Sequence, residues 1–418
     1  MLVKQIQLNG IVNALVGFFF LSILVFQKGY NYAPFFLCTF ALGYVIFELR
    51  KKTIFSFSYE EKLLVWGYFF YFVTFLLIFL INNEKASLLD NPSKVLLFLL
   101  LIPLFSRFYL QLTWIFHFIA VGALISGIVA IYHRFILNKP QAFFAQMHIQ
   151  SGGIAMSIAM FSLIVTFYFF TKKRYKLTAL YFVFSLMGIL ASFLSTARGA
   201  WIGLPVILLF ILIVYRQYIS KKVLGGFLAV MVLAVTTATL VPNTQIAHRF
   251  IEAKNEISAY FDKNNGSTSV GARFDMWKSA WLQIQEKPIL GWGYKGAVEN
   301  RKEQGEQKLI SSYASGFAHV HNQYLDDFSK RGIVGLFALL GVLCIPFAIF
   351  FKRLNKGSIE QTTVAMLGCV HIISVAFYCL SQGFFAHNSG NVFYFFLVIV
   401  FYAMLKTTEK ASNLCSKY

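Results

Sequence analysis

Three arginines carry donors that suit an anionic ligand. Arg198 stands in the sequence STARGA (195–200) between two apolar runs, Arg273 in GARFDMW (271–277), and Arg249 in AHRF (247–250). An arginine at a membrane edge is costly without a partner, and its forked donors match phosphate oxygens. The simpler alternatives are a lipid-headgroup anchor for Arg198 and solvated surface charges for the other two. We take Arg198 and Arg273 as candidate anion-binding residues and Arg249 as a secondary one.

Two histidines follow in the sequence HVHN (319–322), directly before a predicted helix. Histidine exchanges a proton near neutral pH because its ordinary pKa is about 6.5, and nearby arginines favour the neutral form that a general base needs. We take His321 as the candidate base, with a polar loop histidine or a helix cap as the alternative roles. His319 is expected to point elsewhere and to support the loop, and Asn322 is a secondary candidate.

No metal or cofactor site is predicted. His319 and His321 could ligate a metal, but no third ligand follows at a usual spacing and no Asp-x-Asp pair occurs in this segment. Asp326 and Asp327 are adjacent, so on a helix they point apart. The five cysteines show no metal-ligand spacing, and none of them lies in the long polar segment.

The elements that must position these residues are membrane spans. The chain is 58% apolar and only 13% charged, whereas soluble domains carry about a quarter charged residues. Its net charge of +20 could indicate nucleic-acid binding. The cations cluster between apolar runs, however, which is typical of membrane proteins and disfavours nucleic acid as a partner. The first apolar run lacks a small-residue cleavage site, so we expect a retained helix rather than a signal peptide.

Hydropathy predicts an all-α integral membrane protein with about twelve transmembrane helices. The expected runs are 8–26, 32–49, 63–81, 95–106, 108–131, 151–171, 177–195, 199–215, 223–241, 332–351, 362–381 and 390–405. The fourth run is short, which predicts a broken or re-entrant segment. No internal repeat is apparent.

Lysine and arginine are enriched in alternate connections, which places both termini in the cytoplasm. The chain then divides into spans one to nine (1–241), a large external loop carrying the candidate residues (242–331), spans ten to twelve (332–405) and a cytoplasmic tail (406–418). A loop of this length is usually functional.

Two helical patterns lie within the large loop. The first, 272–286, puts Arg273 in its first turn, where its guanidinium could share a phosphate with free helix N–H groups. Trp277 and Trp281 fall on one face, which suits a helix at the membrane interface. Pro288 ends this helix and two glycines follow as turn residues. The second pattern, 322–330, leads into the tenth span after Gly332.

The order of these motifs resembles the O-antigen ligase family, within the larger group that includes O-antigen polymerases and bacterial O-oligosaccharyltransferases. Three stretches carry the resemblance: TARG (196–199), the arginine-led tryptophan helix that runs to Pro and Gly-x-Gly (273–293), and His-Asn followed by GIVG (321–322 and 332–335). The group combines these motifs with many spans and one large late periplasmic loop. The absence of an extra C-terminal soluble domain favours the ligase over the oligosaccharyltransferases.

The resemblance implies transfer of O-antigen from undecaprenyl diphosphate to a sugar of lipid A-core. It implies His321 as the catalytic residue and Arg198 and Arg273 as binders of the diphosphate. Neutralising an anionic leaving group in a site of low dielectric would let an inverting displacement proceed without a metal or a cofactor.

Four other functions remain open at this stage. An O-antigen polymerase or a protein O-oligosaccharyltransferase would use the same donor. A transporter of the lipid-linked glycan is disfavoured, because transporters often show repeats and charges at mid-membrane. A scaffold without catalysis would leave the His-Asn motif unexplained. Membrane lipids are expected contacts in each case.

Overall fold

Every regular element in the described part of the chain is helical. The computed structural model describes residues 2–240 and 246–415. It contains the α-helices α1 (Leu2–Ser22), α2 (Gly29–Arg50), α3 (Tyr59–Ile81), α4 (Asp90–Leu99), α5 (Leu101–Arg107), α6 (Leu112–Ile131), α7 (His148–Thr171), α8 (Tyr175–Leu194), α9 (Leu204–Tyr215), α10 (Lys221–Leu240), α11 (Ile246–Lys263), α12 (Ser269–Glu286), α13 (Gly293–Glu306), α14 (Ser312–Ser315), α15 (Gln323–Phe351), α16 (Ile359–Cys379) and α17 (Asn388–Cys415).

The predicted all-α membrane class is confirmed. Ten helices of the described residues are long and apolar enough to cross a membrane, and they coincide with ten of the twelve predicted runs. The remaining two runs coincide with α1 and α10. The fourth run is divided between α4 and α5, which meet at Leu100, although the whole segment Ala86–Arg107 has the length of a span. Backbone hydrogen bonds satisfied within each helix are what allow such segments to enter lipid.

Three helices form the centre of the bundle. Most residues of α7, α16 and α17 are buried, whereas fewer than half of the residues of α2 and α3 are. Because lipid competes with apolar side chains for contacts, helices in membranes associate where small residues allow close approach. Gly188 of α8 shows this: a Cβ there would lie 2.8 Å from Cβ of Ala159 in α7.

The helices of the long loop form a second, smaller core. Ala272, Met276 and Ala280 of α12 pack with Ala314 and Val320. The loop is fastened to the spans by Glu84, between α3 and α4. Oε1 of Glu84 accepts hydrogen bonds from the backbone N–H groups of Tyr294 and Lys295 at 2.5 and 3.0 Å. This carboxylate therefore caps α13, which otherwise lacks a side-chain cap.

α15 joins the long loop to the last apolar helices and is broken at Gly332. The φ and ψ angles of Gly332 are 62° and −163°, a region open essentially to glycine alone. A Cβ at this position would lie 2.0 Å from the carbonyl oxygen of Ile289. Across the break, the N–H of Ile333 donates to Pro288 O at 2.8 Å. The turn after α12 is thus packed directly against the break in α15.

Candidate active site

Arg198 lies in a tight turn between α8 and α9. The turn continues as a short 3₁₀ segment, Arg198–Ala200. Gly199 allows this turn to approach the segment after α16, because a Cβ at Gly199 would lie 2.0 Å from Oγ of Ser381. The glycine of the Arg-Gly motif therefore has a packing reason that the linear sequence does not reveal.

The guanidinium of Arg198 faces two carboxylates of α11. Nη1 lies 3.7 Å from Oε2 of Glu252, and Nη2 lies 3.6 Å from Oε2 of Glu256. Only 19% of the Arg198 side chain is exposed. The side chain is turned to the loop helices, which favours a binding role over a headgroup anchor.

The prediction that Arg273 stands in the first turn of its helix is wrong. α12 begins at Ser269, so Arg273 lies in the second turn. The first turn is already capped, since Thr268 Oγ1 accepts from Gly271 N at 3.0 Å and Glu256 Oε2 accepts from Val270 N at 3.2 Å. A phosphate shared between Arg273 and free helix N–H groups is therefore not supported.

Arg273 lies near the charges of both Arg198 and Glu256. Burial lowers the pKa of its guanidinium, the charge of Arg198 lowers it further, and Glu256 opposes both effects. Within the described residues, the Arg273 guanidinium has no hydrogen bond or ion pair within contact distance. Counted with Glu252 and Glu256, the charges of the two arginines are formally balanced, so an anion would bind by competing with these carboxylates for the guanidinium groups.

His321 adopts a left-handed backbone conformation, with φ of 50°. Such conformations are uncommon outside glycine and cluster at functional sites. Its Nδ1 lies 2.5 Å from Oε1 of Gln382. Burial lowers the pKa of His321, the charges of Arg273 and His387 also lower it, and the Gln382 hydrogen bond and Asp326 raise it. The net effect keeps the imidazole neutral at neutral pH, the form that can accept a proton.

His319 does not point away from His321, contrary to the prediction. The two rings are 4.2 Å apart at their centroids, with planes at 71°. Burial, and then the neighbouring His321, lower the pKa of His319 to about 4. His319 is therefore a neutral ring packed on the edge of the candidate base.

The segment before His321 is held by side chains from three helices. Arg301 donates to Phe317 O at 2.6 Å, Lys330 to Ala318 O at 3.0 Å, and Trp277 Nε1 to Val320 O at 3.0 Å. Asp326 Oδ1 accepts from Val320 N at 3.1 Å and its Oδ2 pairs with Lys330 at 2.8 Å. These contacts stabilise the strained backbone at His321.

Asn322 and the tryptophans have clear structural roles. Asn322 is the N-cap of α15, and its Oδ1 accepts from the N–H groups of Tyr324 and Leu325. The expectation that both tryptophans of α12 face the membrane interface is wrong for Trp277, which is half-buried against Val320, whereas Trp281 is 54% exposed.

The secondary candidate Arg249 belongs to α11, and its side chain lies outside the described part of the structure.

Sequence reasoning missed Gln382, Glu256 and Arg301. Gln382 follows Ser381 as a polar pair at the end of an apolar run, a weak signal that could have been noticed. Glu256 and Arg301 are ordinary charges of polar helices, and only their contacts distinguish them. In residues 2–240 and 246–415, no group of three or more His, Cys, Asp or Glu side chains is arranged to hold a metal ion.

Comparison with known proteins gives the family. A sequence model of the O-antigen ligase family matches residues 182–340, which include Arg198, Arg273 and His321. The chain is also 25% identical over 195 residues to the O-antigen ligase of Escherichia coli K12, covering 46% of each chain. This chain belongs to the O-antigen ligase superfamily.

A further relative of this superfamily member covers nearly all of the chain. An uncharacterized protein of Haemophilus influenzae is 43% identical over 400 residues, which is 96% of this chain and 100% of that protein. Superfamily membership and the apolar helices together indicate a multi-pass membrane protein. They support glycosyl transfer of the ligase or polymerase type in O-antigen assembly, with a lipid-linked glycan and a lipid acceptor as substrates.

Proposed function

We propose that this protein transfers O-antigen from undecaprenyl diphosphate to a sugar hydroxyl of lipid A-core. The observation that carries the proposal is the position of Arg273. The charge of Arg198 lowers the pKa of Arg273, and the charge of Arg273 lowers the pKa of His321, so Arg273 lies between the proposed anion site and the imidazole. These three residues come from a turn between spans, a loop helix and the segment before α15.

The arginines supply charge for the leaving group. As the bond between the anomeric carbon and the diphosphate oxygen breaks, negative charge develops on the diphosphate. Two guanidinium groups in a partly desolvated site stabilise that charge more effectively than water would. The donor is already activated, so the residues described here need no nucleotide energy source to perform the displacement.

His321 acts on the acceptor. Its neutral imidazole takes the proton of the acceptor hydroxyl, and the oxygen forms a new bond to the anomeric carbon while the diphosphate leaves on its lipid. A direct displacement of this kind inverts the anomeric configuration. General-base catalysis typically contributes a rate factor of about 10² to 10⁴.

The test is transfer by purified protein in detergent. The reaction contains a lipid-diphosphate-linked glycan and rough lipopolysaccharide, with a chelator and without ATP. The expected product is lipopolysaccharide that carries the glycan, with inverted anomeric configuration. Elongated lipid-linked glycan in a reaction without lipopolysaccharide would establish a polymerase instead. The same protein is also reconstituted in vesicles, where movement of the donor across the bilayer with no covalent product in either assay would overturn the enzymatic proposal.

The proposed site lies on the periplasmic face of the inner membrane, with both termini in the cytoplasm. This placement is supported by the distribution of lysine and arginine between the connections. A cysteine replacing Asn265, in a background without the five native cysteines, should react with a membrane-impermeant thiol reagent added from the periplasmic side. Labelling only after the inner membrane is opened would show that position 265 lies in the cytoplasm and would contradict this topology.

A further inference from the structure

Gln382 lies in the turn after α16 and joins two histidines. Its side chain is 2% exposed. Oε1 lies 2.5 Å from Nδ1 of His321, and Nε2 lies 3.0 Å from Nε2 of His387. A buried amide must have its polar atoms paired, and here both are paired with imidazoles rather than with backbone groups. Such an amide is oriented by, and in turn orients, the two rings.

The atoms involved determine which nitrogen of each ring carries a proton. An amide oxygen can only accept, so Nδ1 of His321 must donate its hydrogen to Gln382. The amide nitrogen can only donate, so Nε2 of His387 must accept. A neutral imidazole protonated at Nδ1 has its lone pair at Nε2. His321 therefore offers Nε2, the nitrogen away from Gln382, as the proton acceptor.

The geometry assigns Gln382 as a positioning residue that holds His321 in the Nδ1–H tautomer, with His387 fixing the direction of the amide. This inference rests on the proposed function, in which His321 is the base. It adds a residue to the machinery that lies 61 positions from His321 in the chain. Gln382 touches neither substrate in this account and acts only through the imidazole.

The packing of the Gln382 segment connects this residue to the anion site. Ser381, its neighbour, packs against the turn at Gly199, directly beside Arg198. The same segment thus contacts the arginine turn on one side and the imidazole on the other. A shift of the segment would move the base relative to the proposed diphosphate site.

Several charged or titratable groups surround His321 and set its response to pH. Arg273 of α12 and His387 lower its pKa, while Asp326 of α15 raises it. His319 packs on its ring. The Gln382 hydrogen bond raises the pKa of His321 against the dominant lowering by burial. The pKa of His321 should therefore be lowest with leucine at position 382, intermediate with glutamine and highest with glutamate.

The experiment measures kcat and the donor KM against pH for the parent protein, Gln382→Leu and Gln382→Glu. Leucine removes the acceptor, and we expect kcat to fall about 10- to 100-fold with the donor KM unchanged. The acid limb of kcat should move to lower pH. Glutamate accepts the same hydrogen with a negative charge, so its acid limb should move up by about one pH unit or more. Its kcat at pH 8 should recover most of the parent value.

Gln141 provides a matched control, since its Nε2 lies 3.1 Å from Nδ1 of His148 in a second glutamine–histidine pair. Gln141→Leu and Gln141→Glu should leave the acid limb unchanged. If the Gln382 variants lose activity without the order Leu below Gln below Glu in their acid limbs, Gln382 is only a packing residue. Full transfer by His321→Ala would instead show that His321 is not the base, which would overturn this part of the proposed function.

Discussion

Oε2 of Glu256 lies 3.6 Å from Nη2 of Arg198, and the same carboxylate offsets the positive environment of Arg273. Glu256 thus interacts electrostatically with both arginines of the proposed diphosphate site. A bound diphosphate would compete with this carboxylate for the same positive charges. Removing the Glu256 carboxylate should therefore strengthen donor binding, whereas removing an arginine should weaken the interaction with the diphosphate.

Glu256→Gln should lower the donor KM about 3- to 10-fold with little change in kcat, because one competing charge is removed. Glutamine keeps an oxygen that can accept from Val270 N, so the cap of α12 is preserved. Steady-state kinetics with lipid-linked donor measure the effect. Glu252→Gln, which removes a more exposed carboxylate, should change KM less. A higher KM for Glu256→Gln would show that this residue holds Arg198 in place for binding.

Replacing either arginine should slow transfer by on the order of 10²-fold. Arg198→Ala and Arg273→Ala remove a donor that stabilises the leaving diphosphate. The corresponding lysine variants should recover part of the rate, since lysine keeps the charge but not the two-pronged geometry. Lys278→Ala, which removes an exposed cation of the same helix as Arg273, is the control for net charge. Normal activity of both alanine variants at normal membrane levels would show that Arg198 and Arg273 do not bind the diphosphate.

The rate of transfer should fall with pH only below the ordinary histidine range. Burial, followed by Arg273, lowers the folded-state pKa of His321 from 6.5, so the proton-accepting form persists as the pH falls through 6.5. The acid limb of kcat then lies below pH 6.5 in the parent protein. An acid limb above pH 7 would contradict a buried neutral imidazole as the base.

His321→Ala should reduce kcat by about 10² to 10⁴ while donor binding is retained, since the arginines hold the diphosphate. His319→Ala should be milder, because it removes the ring packed on His321 but not the base. Both variants are assayed for binding and transfer in one detergent preparation. Parallel loss of binding and transfer in His321→Ala would make His321 a ligand-holding residue.

Gly332→Ala should destabilise the protein by about 3 kcal/mol, because Gly332 has backbone angles that alanine tolerates poorly and a Cβ there would collide with Ile289 O. Gly341→Ala in the same helix is the control, since a Cβ there meets no atom within 4 Å. The thermal midpoint of unfolding in detergent compares the two. Equal midpoints would mean that the break in α15 relaxes without cost.

Much of the fold follows directly from the sequence. Long apolar runs must form helices in lipid, where no other backbone structure short of a closed barrel satisfies its hydrogen bonds. The end of α12 was predictable because Pro288 cannot continue a helix. The helix starts at Ser269, three residues before the predicted 272, because its cap is shared between Thr268 and the distant Glu256.

The sequence also indicates the residue types of the candidate site, because Arg198, Arg273 and His321 have the chemistry and the order along the chain that predict it. The tertiary structure decided what surrounds them. The sequence could not show that His319 packs on His321, that Glu256 faces Arg198, or that Gln382 pairs with His321. The physical reason is that hydropathy and helical spacing report how a segment meets its solvent. Tautomer, charge balance and backbone strain depend on contacts between segments that are far apart in the chain.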